Sequence, residues 1–320
     1  MIPRLASSLG AVLAALTVSS ALSVAEPPQA SGDVIFSGNT KACTFAFDWR
    51  KGMIFVPVRI NGSRQLSFVL DTGSSRILID RGLAADLGFK ATGKGSVQGA
   101  GAGRIPVEFI PDAKLQFPGV EGSGFELSTA DLRPLKQSLG VAVDGILGYE
   151  IFRRMVVTVD YESKKLTLTS PEAFRPNEAA QQLPLELKNK WPYVKAELVL
   201  PGQVTVQDSF LVDSGSSDAV DHPIIMNLQS RIASKSGVGI GSPVEGATAR
   251  AESIRLGRYT LENPIVGCCG ATDATSKLIG SEVLRRFTVT FDYPASRIFI
   301  APNSFFGDGS LSVPNAGDDQ

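Results

Sequence analysis

Two acids in this chain stand where an acid is costly. Phe68-Val69-Leu70 is an apolar triplet that runs straight into Asp71-Thr72-Gly73-Ser74-Ser75, and Phe210-Leu211-Val212 runs into Asp213-Ser214-Gly215-Ser216-Ser217. A carboxylate directly after a buried strand is poorly hydrated and persists only where hydrogen bonds or a shared proton compensate. Gly73 and Gly215 let the backbone turn sharply, and the flanking hydroxyls supply donors. A single such segment would serve equally well as a helix N-cap or a tight Asx turn. Two of them point to paired carboxyls. Carboxyls within hydrogen-bond range cannot both ionise cheaply, so a pair holds one proton between them and its titrations split. One member can then act as base toward water and the other as acid toward a carbonyl oxygen. That chemistry calls for no metal, nucleophilic side chain or cofactor, and none is expected here. Which aspartate carries the proton is not fixed by sequence, because the pair titrates as a unit.

The repetition extends beyond the aspartates. Ile146-Leu147-Gly148 follows the first segment and Leu278-Ile279-Gly280 the second, at comparable range. From there the two stretches align without a gap, matching Glu150 with Glu282, Arg153-Arg154 with Arg285-Arg286, and Asp160-Tyr161 with Asp292-Tyr293. This pattern is that of an internal duplication.

On these residues the chain, over about residues 50 to 300, resembles the aspartic peptidases, the pepsin and retropepsin group. The resemblance implies Asp71 and Asp213 as the catalytic pair. It implies Thr72 and Ser214 as hydroxyls that tie the two loops together, and Ser74 and Ser216 as donors to the aspartates, with Gly73 and Gly215 shaping the loops. It further implies a hairpin flap over bound substrate, for which Gly99, Gly101 and Gly103 are the candidates. Pepsin-type flaps carry a tyrosine, whereas residues 90 to 125 hold Phe109, Phe117 and Phe125 and no Tyr. That departure leans toward the retropepsin side.

The elements that must position these groups read as β. Ile54, Val56, Val58 and Ile60 alternate with other residues, and Asn61-Gly62 offers a tight turn into Leu66 to Leu70, which delivers Asp71 to a loop. Ile77 to Ile79 continues as a strand, and Arg81 to Leu87 forms a short helix closed by Gly88. Gly88 to Gly95 nearly spells a phosphate loop, but Gly95 stands where a Ser or Thr should hold Mg²⁺, and the match is set aside. Asp144 belongs to a turn, since Ser276 takes its place in the second copy. The Arg153-Arg154 and Arg285-Arg286 pairs read as solvated charges on short helices, and His222, with no counterpart in the first copy, as an incidental loop residue. The fold class expected is all-β, two related acid-protease β-barrel lobes with a cleft between them. The divisions expected are a signal peptide over 1–25, an N-terminal arm over 26–50, a first lobe over 51–172, a linker over 173–186, a second lobe over 187–306 and a flexible tail over 307–320.

Composition bounds the setting. Arg4, the apolar stretch Leu9 to Leu22 and Ser23-Val24-Ala25 read as a secretory signal peptide, so the expected location is secreted or periplasmic, with no stable membrane insertion after cleavage. The 320 residues carry a formal net charge of −1, and the bases are scattered, so no nucleic-acid partner is expected. What remains after the signal suits two domains of about 150 residues each, and a complete site in one chain predicts a monomer acting on a peptide or protein substrate. Among the cysteines, Cys43 could bridge to Cys268 or Cys269 in an oxidising compartment, or all three could be buried thiols.

Donation from the Ser74 and Ser216 hydroxyls would favour ionised carboxylates and predicts an acidic optimum, about pH 3 to 6. The leading reading is an aspartic endopeptidase. The alternative is a catalytically inert peptide-binding module of the same fold. A two-carboxylate glycosidase is weaker, since nothing in that chemistry calls for duplicated Asp-Thr/Ser-Gly loops.

Overall fold

The structure is a computed structural model and describes residues 33–98, 104–236, 244–269 and 277–308. The signal segment, the flap glycines Gly99, Gly101 and Gly103, and the tail beyond residue 308 lie outside the described residues. The chain is mostly β, with a few short helices. Its strands form a nine-stranded, a ten-stranded and a six-stranded sheet.

The first aspartate segment belongs to the nine-stranded sheet. Strand Met53–Ile60 turns through Asn61 and Gly62, both at positive φ, into strand Leu66–Leu70. Gly145–Leu147 then pairs parallel with Leu66–Leu70, Ile146 opposite Val69, and antiparallel with Ile77–Asp80, Ile146 opposite Leu78. The second segment repeats this arrangement in the ten-stranded sheet. Leu278–Gly280 pairs parallel with the end of Val204–Asp213, Ile279 opposite Val212, and antiparallel with Val220–Asp221, Leu278 opposite Asp221. In both places a short aliphatic strand wedged beside the aspartate strand fixes where the carboxyl emerges.

The six-stranded sheet mixes both halves of the chain. Val156–Asp160 pairs with Phe287–Asp292, and Thr158 meets its sequence counterpart Thr290, their hydroxyls 2.8 Å apart. Phe291 of this junction meets Phe152 and Tyr293 edge-on, and Phe152 stacks on Tyr293, burying apolar area that binds the sheets into one core.

Several expectations need correction. The 173–186 linker is partly sheet, because Gln181–Pro184 pairs with Arg297–Pro302. The 26–50 stretch, read from sequence as an extended arm or edge strand, is not among these corrections, and its described residues form strands Val34–Phe36, Ala42–Ala46 and Asp48–Arg50. Helix Arg133–Leu139, absent from the sequence reading, covers the first sheet with Leu135 and Leu139. The arginine pairs are not simply solvated. The Arg286 guanidinium is 2% exposed and bonds Glu282, the Phe305 carbonyl and the Asp308 carbonyl at 2.9, 2.7 and 3.1 Å. Arg154 donates to the carbonyls of Ser123 and Gly124 at 2.7 and 2.8 Å and lies over the Phe125 ring. Each second arginine closes a loop against its helix. Cys43 is a free thiol, pushed up to about 11 by burial, so a Cys43 bridge is not formed. Among the described residues no helix is long and apolar enough to cross a membrane.

Candidate active site

Asp71 and Asp213 each end a strand of buried apolar residues and are themselves 2% and 0% exposed. Their loops interlock. The Thr72 N–H donates to Ser214 Oγ at 3.1 Å, and the Ser214 N–H donates to Thr72 Oγ1 at 2.9 Å. Each hydroxyl then spends its proton on the opposite strand, Thr72 Oγ1 on the Val212 carbonyl at 2.6 Å and Ser214 Oγ on the Leu70 carbonyl at 2.9 Å. Ser281 adds a bond from Oγ to the Ser214 carbonyl at 3.0 Å. Buried and fully satisfied, such a network rigidifies the loops it joins.

The glycines make the approach possible. A Cβ on Gly73 would lie 2.7 Å from Asp213 Cγ, and one on Gly215 would lie 2.4 Å from Asp71 Cγ. Only hydrogen at these positions lets each carboxyl sit against the other loop. The Gly73 N–H donates to Asp71 Oδ1 at 2.8 Å and the Gly215 N–H to Asp213 Oδ1 at 2.9 Å. Asp213 Oδ2 is buried without an N–H donor among the described residues. The Asp71 and Asp213 carboxyls interact directly, and a hydrogen bond between them requires that one of the two carry a proton.

The expected donation from serine hydroxyls takes a different form. Ser74 Oγ gives its proton to the Arg76 carbonyl at 2.9 Å, and Ser216 Oγ accepts from the Asp218 N–H at 3.3 Å. Their backbone N–H groups, with those of the glycines, face the carboxylates instead. Burial dominates, and both aspartates titrate above the usual carboxylate range. Burial raises Asp71 most, followed by the charge of Asp213. Burial likewise raises Asp213, to which Asp218 adds a smaller upward push.

Three groups near the pair escaped the sequence reading. Asp218 is pushed up to about 6 by burial, and Asp221 well above its ordinary range by burial, then by the charges of Asp218 and Asp213. Behind the pair lies the buried Tyr293 phenol, raised by burial and then by the charges of Asp71 and Asp213. The signal for Asp218 and Asp221 was present in the sequence, since acids flanking Ala219-Val220 must sit beside an apolar strand. His222 is buried as well, not incidental. Its Nδ1 accepts the Ile224 N–H at 3.1 Å, capping the short helix Pro223–Asn227, and its Nε2 faces Asp208, which also pairs with Lys277. Asp144 Oδ2 accepts the Ser67 N–H at 2.9 Å and serves structure.

No curated protein matches the chain. The family model described as aspartyl protease matches residues 56–151, a stretch that enters within strand Met53–Ile60 and leaves just past Gly148, and this match supports an aspartic peptidase family.

Proposed function

We propose that the protein is a secreted or periplasmic aspartic endopeptidase, built as two related lobes, in which Asp71 and Asp213 activate water between them. The observation that carries the reading is the reciprocal seating of each carboxyl on the other loop's glycine, which forces two buried acids to share a proton. Over the pH range in which the pair holds one proton, the ionised member takes a proton from water and the protonated member donates to the substrate carbonyl. The tetrahedral intermediate then collapses as the departing nitrogen is protonated. The loops are locked before substrate arrives, so little reorganisation opposes the step. The inert-module alternative keeps the same fold and binds peptide without turnover. A peptide mimic with a hydroxyl at the scissile position separates the two. It binds an active enzyme far more tightly than the matching substrate, and it binds an inert module no better.

A further inference from the structure

We propose that Arg76 and Phe109 are positioning residues: the Arg76 guanidinium, stacked on the Phe109 ring, sets where the hairpin of strands Gly93–Gln98 and Arg104–Phe117 stands relative to Asp71, and so how tightly a peptide is held. The inference rests on the reading of Asp71 and Asp213 as a peptidase pair and adds to it two residues that act through the hairpin.

The hairpin packs on the face of the first sheet that carries Asp71. The Asp71 N–H donates to the Leu147 carbonyl at 2.9 Å, which carries the pairing of Leu66–Leu70 with Gly145–Leu147 one residue beyond the strand. Side chains two apart along such a run share a face, so Asp71 lies on the side of Val69. Val97 and Val107, one from each strand of the hairpin, are buried in a single cluster with Val69, Leu78 and Ile146. A peptide that reaches Asp71 on this face meets the hairpin.

Arg76 joins the two. Its backbone belongs to the aspartate loop, because its carbonyl accepts the Ser74 hydroxyl at 2.9 Å and a Cβ on Gly148 would lie 2.2 Å from that same carbonyl. Its side chain leaves the loop for the hairpin. The guanidinium carbon stands 5.2 Å from the centre of the Phe109 ring, within reach of the ring's quadrupole, and Nη1 donates to Glu126 Oε1 at 2.7 Å. The Nε–H is buried with no acceptor among the described residues. Ring and carboxylate together therefore seat the guanidinium, and loss of the ring leaves it held at one point. The ring is itself lodged across the hairpin. Phe109 stands opposite Gly93, and a Cβ on Gly95 would come within 2.8 Å of Phe109 Cζ.

The second copy separates this role from closure of the loop. Asp218 stands where Arg76 stands, five residues after its aspartate, and a Cβ on Gly280 would lie 2.3 Å from the Asp218 carbonyl. The turn closes alike with an acid there, so the arginine side chain serves the hairpin. Two other bonds hold the same strand, from Arg81 to the Pro106 carbonyl at 2.6 Å and from the Glu108 N–H to Thr129 Oγ1 at 3.1 Å. Neither comes from the aspartate loop. Loss of the stack should therefore loosen the hairpin without unfolding it, and the loss should fall on binding, since Thr72 and Ser214 lock the carboxyls independently.

The test reads hairpin and enzyme separately. In native-state hydrogen exchange on the full-length protein without substrate, Arg76→Gln and Phe109→Leu should each speed exchange of the amides of 93–98 and 105–110 about tenfold, on the order of one cation–π contact, and leave 66–70 and 145–147 unchanged. With a peptide that the wild type cleaves from a mixed octapeptide library, each substitution should raise KM about tenfold and leave kcat within about twofold. The double variant should be no worse than either single one, because both remove the same contact. Phe109→Tyr, which keeps the ring, should keep the wild-type KM. Unchanged exchange in the hairpin, an unchanged KM in both single variants, or effects that multiply in the double variant would overturn the proposal. Cleavage of the library by the wild-type protein reads the peptidase assignment separately.

Discussion

Thr72 and Ser214, far apart in the sequence, hold each other by exchanging hydrogen bonds between one's hydroxyl and the other's backbone N–H, at 2.9 and 3.1 Å. The same hydroxyls donate across to the carbonyls of Val212 and Leu70, the residues directly before Asp213 and Asp71. The relationship between the two loops is therefore fixed by four buried hydrogen bonds rather than by contact of the carboxyls alone.

Removing either hydroxyl strands buried partners. Thr72→Val and Ser214→Ala should each cost about 1–3 kcal/mol in urea unfolding. The double variant should cost less than the sum, because both act in one network. Thr72→Ser should retain most of the stability. Turnover in the Val and Ala variants should fall further than stability does, since the loops no longer hold the carboxyls in register. Full turnover in Thr72→Val would show that the interlock does not position the pair.

Burial raises both members of the pair, so the pH window in which they hold one proton lies above the ordinary carboxylate value of 3.8. Asp218 contributes a negative charge that raises Asp213. Asp218→Asn removes that charge, favours the ionised form of Asp213 and should move the pH–kcat profile to lower pH. A profile that is unmoved, or moved upward, would contradict the electrostatic account.

His222 couples stability to pH in a definite direction. Burial lowers its pKa from the ordinary 6.5, so below that pH the unfolded chain takes up a proton that the folded imidazole resists. Its contribution is complete above pH 6.5 and is lost as the pH falls toward the depressed folded value. Protonation would also place hydrogen on Nδ1, which now accepts the Ile224 N–H. His222→Asn can keep that cap without titrating. The difference in unfolding free energy between wild type and His222→Asn should therefore change across the acid range and level off above pH 6.5, as read by urea unfolding at a series of pH values.

Arg286 holds Glu282 and two carbonyls in a setting that excludes water. Arg286→Ala leaves the Glu282 carboxylate buried without this partner and should destabilise by about 3–5 kcal/mol. Arg285→Ala, whose ion pair to Glu282 is more exposed, should cost distinctly less. Thermal unfolding of the two variants side by side checks the ordering.

The aspartate loops were legible because an acid, a hydroxyl and a glycine after an apolar triplet have few other uses, and because the pattern occurs twice. Strand Met53–Ile60, the turn at Asn61 and Gly62, and helix Arg81–Asp86 followed from local periodicity and turn chemistry. What local pattern cannot carry is the direction of a side chain after the chain turns. Ser74 was expected to donate to Asp71, yet a carbonyl two residues on, that of Arg76, is nearer to hand. Arg154 and Arg286 looked solvated because their acceptors, the carbonyls of Ser123, Gly124, Phe305 and Asp308, are distant in sequence or lie in irregular turns. Gln181–Pro184 carried too short and polar a run to read as a strand, and it becomes one only because Arg297–Pro302 offers an edge.

The most direct measurement is cleavage of a mixed peptide library across pH by the wild-type protein, Asp71→Asn and Asp213→Asn, with folding followed by circular dichroism. The wild type should cleave internal peptide bonds, and each single Asn variant should lose at least about a thousandfold in kcat/KM while remaining folded. Cleavage by either variant at the wild-type rate would contradict a shared-proton aspartate pair.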